Sequence, residues 1–91
     1  MTKTISKERL EKEFARTEQA FKIVRVIVKT KESEELFDSA KRYYADAKYF
    51  RDKGDFASAF GALNYSFGLL DGGAKLKFFD VSADKELFTA D

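Results

Sequence analysis

Ninety-one residues suffice for one domain with a modest core. The chain has no cysteine and no histidine, which excludes disulfides, thiolate metal sites and thiol catalysis and removes the usual proton shuttle. With 44% hydrophobic residues, 36% charged residues and a net charge of +1, it is too apolar for disorder and less basic than a nucleic-acid binder of this size.

The stretch MTKTISKERLEKEF is charged and lacks the apolar run of a secretory signal. No apolar stretch nears the roughly 20 residues that span a bilayer. These features set the expectation of a cytoplasmic protein with no membrane association. Proline is absent, which favours long helices and short loops. Residues 1–32 hold nine Lys/Arg against five Glu, so a basic first helix should lie against acidic neighbours.

The chain reads as a single all-α domain over 1–91, with 1–5 as an N-terminal extension and 78–91 as a C-terminal tail. A first helix is expected over about 6–29. Leu10, Phe14, Thr17, Phe21, Val24 and Val28 recur at alternating spacings of four and three, one face of a helix. FKIVRVIV (21–28) is rich in β-branched residues and reads alternatively as a strand, but the unbroken spacing from Leu10 favours helix. Ile23, Val26 and Ile27 widen the stripe beyond what one neighbour needs, so this end should touch two elements or another chain.

TKES (30–33) is the first break, with Ser33 before two glutamates as a helix start. The second helix is expected over 33–53, with Leu36, Ala40, Tyr43, Ala47 and Phe50 inward. Gly54 suits the left-handed residue past its end, and Asp55 suits the N-cap of a third helix. That helix is expected over 55–71 or slightly beyond, with Phe56, Phe60, Leu63, Phe67 and Leu70 on its core face. Gly72-Gly73 either ends it or lets it run on through Ala74 to Leu76. The tail holds Phe78, Phe79, Val81, Leu87 and Phe88, too apolar to float free, so it should fold back. The sum is a three-helix up-and-down bundle.

A second stripe accompanies the core face of the third helix. Ala57, Gly61, Asn64, Gly68 and Asp71 share a face about 100° round from the core. Glycine inside a helix costs about 0.5–1 kcal/mol relative to alanine. Either the bundle's own helices pack closely there, or the stripe receives something: a partner's helix, a second copy, or a small polar ligand or nucleotide. With Asp46, Tyr49 and Tyr65 beside it, the candidate groove is Asp46, Tyr49, Gly61, Asn64, Tyr65, Gly68 and Asp71. Two carboxylates without a histidine or a metal partner make no catalytic pair. No catalytic residue, cofactor or metal is therefore expected. Lys22, Arg25 and Lys29 form a basic line without interleaved aromatics, which reads as a solvated face rather than a nucleic-acid site.

YYADAKYF (43–50), KGDFASAFGALNYSFGLLDGG (53–73) and ELFT (86–89) together resemble an archaeal family known as domain of unknown function 357. The residues that carry the resemblance are Tyr44, Asp46, Ala47, Tyr49 and Phe50, then Gly54 and Asp55. They continue with Ala59, Phe60, Gly61, Ala62, Asn64 and Tyr65, and end with Leu70, Asp71 and Gly73. Gly72 stands where the family more often has alanine. The resemblance spans roughly residues 36–89. It implies a small three-helix bundle in an archaeal cytoplasm, no established activity, and one pattern that includes Asp46, Asn64 and Asp71.

Overall fold

The computed structural model describes residues 5–88. The proposed limits of the N-terminal extension and of the tail lie partly outside those residues. In order, the elements are α1 (Lys7–Ile23), β1 (Arg25–Val26), α2 (Lys31–Asp52), α3 (Phe56–Lys75), β2 (Phe79–Asp80) and a 3-10 segment, Ser82–Phe88. The architecture is all-α, with one two-residue antiparallel ribbon pairing Arg25 with Asp80 and Val26 with Phe79.

Each helix begins on a side-chain cap. Ser6 accepts from the Arg9 amide, and Asp55 accepts from the Ser58 amide at 3.1 Å. At α2, Thr30 and Ser33 cap reciprocally: the Ser33 amide donates to Thr30 Oγ1 and the Thr30 amide to Ser33 Oγ. The cap is thus Thr30, and Ser33 is the buried third residue of the helix. Gly54 ends α2 with φ +82°, its amide on the Arg51 carbonyl and the Asp55 amide on that of Phe50. This is a Schellman closure.

One expected boundary moves, and one left open is decided. The first helix stops at Ile23, not near residue 29, and Val24 turns extended. The β-branched run then forms β1, and the Ile27 and Val28 amides both donate to the Phe78 carbonyl. The strand reading wins for this end because the folded-back tail supplies the missing hydrogen-bond partners. The third helix runs through both glycines to Lys75. It closes with a second Schellman pattern, in which the Lys77 amide meets the Ala74 carbonyl and the Phe78 amide that of Gly73. Here the left-handed residue is Lys77, at φ +66°.

Helix α3 is the centre of the bundle. Ser66 Oγ donates to the Ala40 carbonyl at 2.7 Å, and the Tyr43 and Tyr65 rings meet at 4.4 Å, so α2 runs antiparallel to α3. Arg9 lies over Phe60 and Arg16 over Phe67, so α1 runs parallel to α3. Between α1 and α2 the joint is aromatic, Phe14 and Phe21 on Tyr44 and Phe21 on Phe37. The core falls into two clusters: Leu10, Phe14, Ala47, Ala59 and Leu63 near the Gly54 turn, and Ala20, Ala40, Phe67, Leu70 and Phe79 at the other end. Buried Thr17 and Ser66 stand between them in chain position. The tail does pack back, with Phe88 stacked on Phe67 at 4.9 Å and Phe79 buried.

Candidate functional site

The inward face of α3 is Ala59, Leu63, Ser66, Phe67, Leu70 and Gly73. Ala57, Gly61, Asn64, Tyr65 and Gly68 are exposed. At ~100° per residue, Gly61 and Gly68 point nearly opposite Ala59, Leu63 and Leu70. The stripe therefore lies across the helix from the core rather than one step beside it. A Cβ built on Gly61, Gly68 or Gly72 meets nothing within 4 Å. The chain's own packing does not call for glycine at these three positions.

Gly73 is the opposite case. Its Cβ would fall 2.9 Å from Phe79 Cζ and nearer still to Cδ2 and Cε2 of the same ring. The close approach hidden in the glycine pattern is thus at Gly73, where the tail crosses α3.

From Phe56 to Leu70, fifteen consecutive residues carry no charge, in a chain that is 36% charged. The outward face of α3 is therefore small and uncharged, edged by Tyr65. That ring is 54% exposed and packs edge-on against Tyr43. Tyr49 is more exposed still and rests on Phe50. Beside the tyrosine pair, a cleft of about 320 Å³ between α2 and α3 is lined by Glu32, Glu35, Leu36, Arg42 and Leu69 among others.

The remaining polar candidates do not converge. The Ala40–Ser66 and Tyr43–Tyr65 contacts set Asp46 level with Gly61. Asp71 lies ten residues further along α3 than Gly61, about 15 Å at 1.5 Å per residue. Its carboxylate takes a hydrogen bond from Lys75 at 2.8 Å, one turn on, an arrangement that also suits a helix C-terminus. Among the described residues no hydrogen bond or ion pair joins Asp46, Asn64 and Asp71.

The sequence reading missed two features. One is the cation–aromatic ladder of Arg9 on Phe60 and Arg16 on Phe67, with centroid distances of 5.1 and 3.8 Å. Matching seven-residue spacings in the two pairs were its available signal. The other is a mainly aromatic cleft of about 460 Å³ between α1 and α2, lined by Glu18, Phe21, Phe37, Lys41 and Tyr44. There the Tyr44 hydroxyl donates to Glu18 at 3.3 Å. Burial, followed by the Glu18 charge and hydrogen bond, raises its pKa above the ordinary tyrosine value, with Arg51 opposing. Among the described residues no group of acidic, histidine or cysteine side chains could hold a metal ion. No helix there is long and apolar enough to cross a membrane.

The family described as "Protein of unknown function (DUF357)" matches residues 10–79, and the chain belongs to it. No curated protein and no solved structure matches the chain.

Proposed function

We propose that the protein is a non-enzymatic interaction module whose outward α3 face seats a helix of a protein partner. The observation that carries this reading is the pairing of an uncharged fifteen-residue stretch with three glycines that have open space beside them. Glycine costs helix stability, and the fold gains no packing from it at these positions. A neighbouring backbone that needs to come close would account for it. The polar candidates are strung along the helix, which suits an extended partner better than a compact ligand. Ile27 and Val28, exposed at 53% and 41% with both amides on the Phe78 carbonyl, offer a second apolar contact at one end.

Native mass spectrometry of protein purified from its own source tests the reading, beside a Gly61→Glu/Gly68→Glu variant prepared identically. The wild type should carry a bound protein chain that the variant lacks, with the helical circular-dichroism signal of the two unchanged. A wild type recovered only as a bare single chain, or a variant with the same bound species, would count against it.

A further inference from the structure

Accepting that reading of the α3 face, we propose that the chain seated there is a second copy of this protein. The two α3 helices would pack antiparallel about a two-fold axis passing between Asn64 and Tyr65. Ala57, Gly61, Gly68 and Gly72 are placed symmetrically about that point, four residues and then seven and then four apart. An antiparallel copy sets Ala57 against the partner's Gly72 and Gly61 against the partner's Gly68, with Asn64 level with the partner's Tyr65 at the axis. No Cβ at Gly61, Gly68 or Gly72 would touch this chain's own atoms. A two-fold interface requires a surface that complements itself. Asn64, exposed beside the axis, carries both a donor and an acceptor and can pair with its own copy.

Charge on the flank of the face fits the same axis. The contacts of Ala40 with Ser66 and Tyr43 with Tyr65 fix the level of α2 along α3. Glu32 stands level with Lys75, and Lys53 with Gly54. The proposed axis exchanges those two levels, and it keeps both α2 helices on one side of the α3 pair. Glu32 therefore comes level with the partner's Lys53, with Glu35 one turn away. Arg42 comes level with its own copy, and the partner's Asp46 lies within a turn of both. All five side chains are exposed, and none of Glu32, Glu35, Asp46 and Lys53 has an ion-pair partner among the described residues. The acidic start of α2 thus comes level with the basic end of its copy, twice by symmetry, which favours the antiparallel arrangement over a parallel one that would set like charges level.

The chain contains no cysteine, so single introduced cysteines report the geometry directly. Gly61→Cys and Gly68→Cys chains, mixed and mildly oxidised, should form a mixed disulfide dimer. Asn64→Cys alone should cross-link to itself. Neither glycine variant alone should exceed the exposed control Ala45→Cys. Sedimentation equilibrium of the cysteine-free protein adds an independent readout. Glu32→Lys and Lys53→Glu should each weaken association at least several-fold, and the double variant should restore it. Cross-linking of Gly61→Cys to itself as strongly as to Gly68→Cys would overturn the antiparallel arrangement. A wild type that remains single-chain at millimolar concentration would overturn the second copy as occupant. In that event the broader reading survives if Gly61→Glu/Gly68→Glu still strips a different bound protein. It fails if that variant strips nothing.

Discussion

What a methyl group would meet separates the glycines of α3. At Gly61 it meets open space within the chain, so at concentrations where the protein is dissociated Gly61→Ala should gain about 0.5–1 kcal/mol from helix propensity alone. At Gly73 it meets the Phe79 ring, which is 3% exposed and held by β2, so Gly73→Ala should lose about 1–3 kcal/mol by overpacking. Urea denaturation of the two variants checks both signs. Sequence spacing could not make this separation, because Phe79 reaches Gly73 only once the tail has folded back. A second residue-scale prediction concerns acid. Hydrogen bonds from Ser58 hold Asp55 below the ordinary carboxylate value. A carboxylate depressed in the folded state stabilises above its unfolded pKa, about 4, and that contribution is lost as pH falls through the lower folded value. The urea midpoint should therefore drop below about pH 4, and Asp55→Asn should flatten that part of the curve. An unchanged curve in the variant would mean that the cap is not a source of the acid limb.

Among the elements, those specified by nearby residues were the legible ones. The Gly54–Asp55 turn is written in consecutive residues, and the structure places a left-handed glycine and an Asx cap where expected. Three-and-four spacing found Ala40 and Ala47 in α2, Leu63, Phe67 and Leu70 in α3, and Leu10, Phe14 and Thr17 in α1, all buried. Tyr43, expected inward, is instead 37% exposed, and in α1 the buried residue after Thr17 is Ala20 rather than the expected Phe21. The end of α1 was not legible, because β1 pairs with β2 more than fifty residues away. The end of α3 was left open by the sequence. Of the two readings of Gly72-Gly73 the helix takes the one that runs on, and it closes on Lys77, which carries the left-handed conformation without being glycine. Lys77→Gly should therefore stabilise, by about 0.5–1 kcal/mol, since the native backbone there strains a side-chain-bearing residue. A thermal melt of this variant that moved downward would show that the Lys77 side chain contributes more than its backbone costs.

For the whole molecule, the bundle uses α3 twice. One side carries the two core clusters, and the other is left uncharged and small in a chain otherwise dense with charge. The chain belongs to DUF357 over residues 10–79, a match that assigns no role to Asp46, Asn64 or Asp71. The folded chain spreads those residues along two helices instead of gathering them. The small-residue stripe itself was legible, but not its direction, because spacing gives a face and only packing says which way that face looks. Sedimentation equilibrium of the wild type beside Gly61→Glu/Gly68→Glu is the most direct measurement of the central claim. The account predicts a wild type whose mass rises with concentration to that of two chains, and a variant that stays at one chain with its fold intact. Equal masses for the two proteins across the whole concentration range would contradict it.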